Sequence, residues 1–130
     1  MKQNDNLVLG LTFEFALAVV KYCELLEENK KYVIARQLLR AGTLIGANAR
    51  EAQNCESRND FVHKFRLAAK EAEETECWLL ICQASSGYPS AEEMIEKIVS
   101  IKKVINRIIA STIKNRETET PSKNSGTPSH

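Results

Sequence analysis

Apolar residues recur along this chain at alternating steps of three and four, the spacing of one face of an α-helix. Val8, Leu11, Phe15, Ala18, Tyr22 and Leu25 carry the pattern first, and Ala35, Leu38, Gly42, Ile45, Ala49 and Ala52 carry it next. Phe61, Phe65, Ala68, Ala72, Thr75, Leu79 and Cys82 form the third set; Met94, Ile98, Ile101, Ile105 and Ile108 form the fourth. A helix with one apolar stripe buries it against a partner. The pattern therefore predicts helices that share one core.

The residues between the stripes agree. The run EENKK, Glu27 to Lys31, separates the first from the second. Ser57 suits an N-cap, with Asp60 three residues on. In SSGYPS, Ser85 to Ser90, Gly87 suits a C′ position and Pro89 cannot continue a helix. Ser90 and Glu93 read as a capping box. Helices are expected near 5–28, 31–56, 58–86 and 90–114. Short connections set successive helices antiparallel, so the expected fold is all-α: an antiparallel up-down-up-down four-helix bundle over residues 1–114. From 115 to 130 the chain offers nothing large and apolar to bury, and a disordered polar tail is expected.

One stretch breaks the pattern's logic. GTLIGANAREA, Gly42 to Ala52, places two glycines inside the second helix. Each costs about 0.5–1 kcal/mol relative to alanine, so close packing must offset them. Gly42, Gly46, Ala47, Ala49 and Ala52 make a shaved surface, which Phe15, Phe61, Phe65 or Trp78 could fill. The contact is either within one subunit or across a subunit interface. Two glycines at this spacing are familiar from membrane helix pairs, but Arg36, Arg40, Arg50 and Glu51 on the same helix exclude a membrane reading. The longest apolar run, Ala16 to Val20, is far too short to span a bilayer.

The third helix carries a second stripe beside its core seam: Leu67, Glu71, Glu74, Trp78 and Ile81. On the fourth, Val99, Val104, Ile109 and Ile113 widen the apolar arc. Such surplus must pack on more protein or leave exposed patches, which monomers avoid. A homo-oligomer is expected; the other reading puts Trp78 at the edge of a lone bundle.

Charge changes the picture little in bulk and more in detail. The chain of 130 residues is 43% hydrophobic and 27% charged, with a formal net charge of +1. No overall field draws it to nucleic acid or anionic lipid. Locally, Arg36, Arg40 and Arg50 on the second helix, and Lys97, Lys103, Arg107 and Lys114 on the fourth, are candidate phosphate contacts. Nearby acids nearly cancel them, and there is no aromatic stacking platform, so solvated helix faces are the competing reading.

Catalytic chemistry finds little material. A di-iron bundle needs two Glu-x-x-His pairs, yet the histidines are His63 and the final residue, His130. Cys77 and Cys82 lack zinc-ligand spacing, and Cys23 and Cys55 lie on other segments. No nucleophile with its base, and no phosphate-binding glycine loop, assembles. No metal, cofactor or enzymatic activity is expected. With no secretory signal at the start, the cysteines read as reduced thiols of a cytoplasmic protein. Asn48, Glu51, Glu71 and Glu74 lie near the seams. They suggest a buried hydrogen-bond network, with Arg36, Arg40 and Lys64 as partners, or else solvated helix-face charges.

LLRAGTLIGANAREA followed by RNDFVHKFRLAAKEAEETECWLL resembles the small four-helix proteins encoded in intervening sequences of bacterial 23S ribosomal RNA genes. Accessory proteins of diversity-generating retroelements are more distant relatives of the same fold. The markers are Gly46, Asn48, Glu51 and Ala52, then Phe61, Ala68, Glu71, Ala72, Glu74, Thr75 and Trp78, within residues 7–113. Where the family commonly has Ile-Ala-Glu after the asparagine, this chain has Ala49-Arg50-Glu51, which adds a positive charge. The resemblance implies a ring-like homopentamer without established catalytic activity. For the retroelement relatives it implies binding to a reverse transcriptase and to nucleic acid. The expectation for this chain is a non-enzymatic ring that acts as scaffold or adaptor, with RNA, DNA or a nucleic-acid enzyme as candidate partner. The alternative is a protein–protein interaction module that uses the Trp78 stripe on a different chain.

Overall fold

The computed structural model describes residues 3–124, with side-chain surroundings defined over 7–115. The helices are α1 (Gln3–Glu28), α2 (Tyr32–Ala52), α3 (Arg58–Ala84) and α4 (Glu92–Asn124). α1 packs on α2, α2 on α3, α3 on α4 and α4 on α1, and across the core Tyr22 of α1 reaches Cys82 of α3. This is a four-helix bundle around one core. Val19 faces Gly42 and Thr12 faces Gly46, so α1 and α2 run in opposite senses. Arg40 meets Glu74 and Lys64 meets Glu51, which gives the same relation for α2 and α3.

The core follows the predicted seams on three helices. Every predicted seam residue of α2 is buried, from Ala35 to Ala52. Phe65, Ala68, Ala72, Thr75, Leu79 and Cys82 are buried on α3, and Met94, Ile98, Ile101, Ile105 and Ile108 on α4. On α1 the prediction drifts by one position. Thr12, Val19 and Leu26 are buried, where Leu11, Ala18 and Leu25 were expected. Thr12 tolerates burial because its hydroxyl donates to the Val8 carbonyl at 2.8 Å.

That drift resolves the glycine question. A Cβ on Gly42 would lie 2.8 Å from Val19 Cγ2, and one on Gly46 would lie 3.2 Å from Thr12 Oγ1. The glycines admit α1 of the same chain. At Gly42 and Gly46 the nearest neighbours are not the aromatic candidates but the β-branched Val19 and Thr12, short groups that let the two backbones approach.

The helix ends differ from expectation in instructive ways. α1 closes with Lys30 N–H bonded to Glu27 O at 2.9 Å and Lys31 N–H to Leu26 O at 2.8 Å. This is a Schellman motif, and Lys30 occupies its left-handed position at φ 63°. α2 ends at Ala52, before the predicted 56, where tight bonds from Gln53, Asn54 and Cys55 to the carbonyls three residues back wind it down. Ser57 caps α3 as predicted, accepting from Asp60 N at 3.1 Å. The capping box at Ser90 does not form as drawn. Ser90 Oγ accepts from Glu92 N at 3.4 Å, and Gln83 Oε1 accepts from Ala91 N at 2.6 Å. α4 thus starts at Glu92. Gly87, at φ +84°, serves the turn one position beyond C′, because Ser85 is the C-cap. α4 continues through Asn124, past the predicted end at 114. The remainder of the expected tail, 125–130, lies outside the described residues.

Contacts between turns tie one end of the bundle. Tyr22 Oη donates to Pro89 O at 2.7 Å, and Lys31 Nζ sits 4.9 Å from the centre of the Tyr88 ring.

Candidate interaction surface

The polar residues picked out on α2 and α3 do come together, in two groups. Helical spacing puts Glu71, Glu74 and Trp78 on the side of α3 that faces α2. Arg40 Nη1 lies 3.4 Å from Glu71 Oε1, and Arg40 Nη2 pairs with Glu74. Trp78 Nε1 donates to Glu74 Oε2 at 3.0 Å, and Gln37 Oε1 accepts from Arg40 at 3.3 Å. The indole N–H, together with Arg40, holds the Glu74 carboxyl below the usual carboxylate range. In the second group Lys64 Nζ binds Glu51 Oε1 at 2.7 Å, which raises the lysine's pKa.

Asn48 joins neither group; its side-chain amide donates to Leu44 O at 3.0 Å on its own helix. Arg36 is exposed and enters no ion pair among the described residues. Leu67 is half-buried. The network is not buried within the single chain: Glu71 is 14% exposed, but Arg40 is 45% and Glu51 59%. It is a surface clasp between α2 and α3. Long, paired side chains suit that position, whereas the core excludes charges that lack full compensation.

The candidate phosphate contacts divide into two sets on helices that are not neighbours in the bundle. Arg36, Arg40 and Arg50 belong to α2; Lys97, Lys103, Arg107 and Lys114 belong to α4, diagonally opposite. They cannot form one continuous patch. Arg40 is committed to its two glutamates. Lys97 lines a groove with Leu11, Glu14 and Phe15 of α1, whereas helical spacing sets Lys103, Arg107 and Lys114 on the outward face. Lys102, not among the candidates, bridges to Glu73 at 3.0 Å and Glu76 at 2.5 Å of α3.

The largest feature that sequence reasoning missed is apolar. Phe13 (53% exposed), Leu17 (48%) and Val20 follow one another along the outward face of α1. Beside them, Leu9, Phe13 and Ala16 form a groove with Thr43, Gly46, Ala47 and Arg50 of α2. The signal was present, since α1 has more large apolar residues than one seam can hold. Near the tied end, Tyr32, Val33, Ile34 and Tyr88 surround half-buried Trp78 in a shallow depression, with Ile81 exposed on the next turn of α3.

Groups that could do covalent chemistry are subdued. Cys23 is buried, its thiol points to Ala35 O at 3.3 Å, and burial pushes its pKa up to about 12. Burial likewise raises Cys82 and the neighbouring Tyr22 hydroxyl. No cluster of three or more His, Cys, Asp or Glu residues suited to a metal occurs among the described residues. No helix among them is long and apolar enough to cross a membrane.

Comparison with known proteins agrees with this architecture. No curated protein matches the chain. A crystal structure from Bacteroides thetaiotaomicron, described as a protein with unknown function from the S23 ribosomal protein family, is 39% identical with a TM-score of 0.78. The match covers 83% of this chain and 99% of that one. The profile of the 23S rRNA-intervening sequence proteins matches residues 4–108, the span that holds the glycine-bearing helix, the α2–α3 clasp and the first half of α4, and the chain belongs to that family.

Proposed function

We propose that this protein works by assembly rather than catalysis: it forms a homo-oligomer that serves as a scaffold or adaptor. The exposed apolar face of α1, with Phe13, Leu17 and Val20, carries this reading. Apolar residues along a helix face are expected to be covered in a stable soluble particle. A ring of five is the assembly the family resemblance implies. The absence of catalytic chemistry belongs to the same proposal, supported by the burial and raised pKa of Cys23. Nucleic acid is a second reading, favoured by the exposure of Arg36, Arg50, Lys103 and Arg107 outside any ion pair among the described residues. Phosphate contacts of this kind position a backbone without reading bases. A protein partner on the depression around Trp78 is the alternative.

Native mass spectrometry of the purified protein, at low and high salt, tests these readings. A homo-oligomer at both salts is the expected result, and a monomer would overturn the scaffold proposal. Nucleic acid carried at low salt and lost at high salt would support the phosphate reading; retention at high salt would contradict it.

A further inference from the structure

Besides its exposed α1 ridge, the bundle has a complementary groove. Between α3 and α4, Ala69, Ile109, Ala110 and Ile113 make an apolar floor, with Arg66 and Lys70 at its edge, in a depression of about 480 Å³. The one acid lining it, Glu73, is already paired with Lys102. The α1 ridge has the opposite character. Along α1, Phe13, Leu17 and Val20 share the helix with Glu14, Glu24 and Glu28 and with one cation, Lys21; Arg50 of α2 lies beside Phe13, and Lys97 of α4 beside Glu14. Both features have the same length: Phe13 to Val20 and Arg66 to Glu73 each span about 10 Å at 1.5 Å per residue.

We infer that the α1 ridge of one copy seats in the α3–α4 groove of the next. This rests on the homo-oligomer reading and specifies its joint. Ridge and groove are different surfaces of the same chain, one on α1 and the other between α3 and α4. The contact is therefore heterologous, and repetition of it closes a ring or runs on as a filament. Pairing α1 with α1 across a two-fold axis would cover the ridge and leave the groove's floor exposed. The head-to-tail joint covers both and turns the acid-bearing face of α1, with Glu24 in line with Phe13, Leu17 and Val20, toward Arg66 and Lys70. Attraction between such charges favours encounter and fixes register.

The test uses three exposed-site variants of the full chain, with circular dichroism to show that each is folded. Leu17→Arg spoils the ridge and keeps the groove. Ala110→Arg spoils the groove and keeps the ridge, and Arg66→Glu with Lys70→Glu is a second groove variant that adds no bulk. Each variant alone is expected to be monomeric by native mass spectrometry. A mixture of Leu17→Arg with either groove variant is expected to give a one-to-one heterodimer that grows no further, because one intact ridge then meets one intact groove. If the variants keep the wild-type oligomer mass, the joint is elsewhere while the oligomer reading stands. If the variants are monomeric and the mixture stays monomeric, ridge and groove do not meet and the inference is overturned. A monomeric wild-type protein removes the oligomer reading and this joint together.

Discussion

At the scale of single residues, Gly42 and Gly10 make opposite cases. A Cβ on Gly42 would crowd both methyls of Val19, at 2.8 and 3.0 Å, and Val19 is fully buried and stiff. Overpacking of this kind costs about 1–3 kcal/mol, more than the gain of about 1 kcal/mol in helix propensity. Gly42→Ala should therefore lower the urea midpoint, and adding Val19→Ala should recover part of the loss. Gly10 has nothing within 4 Å of the same construction, so Gly10→Ala should stabilise the isolated chain by about 0.5–1 kcal/mol. Cys23 gives a pH dependence. Its thiol is raised from 9.0 to about 12 in the fold. The resulting stabilisation is complete below pH 9 and is lost as pH rises toward 12, because the unfolded thiol ionises first. Cys23→Ala should be less stable at neutral pH but decline less steeply in alkali, as followed by helical ellipticity.

At the scale of elements, legibility depended on how strictly a helix divides its faces. α2 was read correctly along its whole seam because small and apolar residues alternate there with Arg36, Arg40, Arg50 and Glu51. α1 was misread because apolar residues surround it. Nothing in its own sequence says that Thr12 and Val19, rather than Leu11 and Ala18, face inward; the glycines of α2 decide it. The clasp is legible in the sequence as a set of partners, Arg40 and Lys64 with their glutamates, but not as a surface feature. Exposure depends on how far each face turns from the neighbouring helix. The α1–α2 turn offers a direct check. Lys30 takes a left-handed conformation that costs a side-chain-bearing residue about 1–2 kcal/mol and glycine almost nothing. Lys30→Gly should raise the melting temperature and leave the Schellman hydrogen bonds in place, measurable as unchanged amide protection at Lys31.

At the scale of the whole molecule, a formal charge of +1 conceals local arrangement. Glu14, Glu24 and Glu28 lie on α1, while Arg66 and Lys70 edge a groove on the far side of the bundle. Bulk composition averages these away, which is why the sequence suggested surplus apolar faces on α3 and α4 but not the ridge they would meet. The tight joint between α1 and α2 then acquires a geometric meaning. Val19 and Thr12, set against Gly42 and Gly46, leave α1 little room to tilt within its own bundle. In a head-to-tail assembly each subunit transmits the angle between its ridge and its groove to the next. Any tilt of α1 would be repeated at every joint, and the accumulated error separates a circle that closes from a helix that does not. In the assembly proposed above, two missing methyl groups in α2 would thereby govern its curvature.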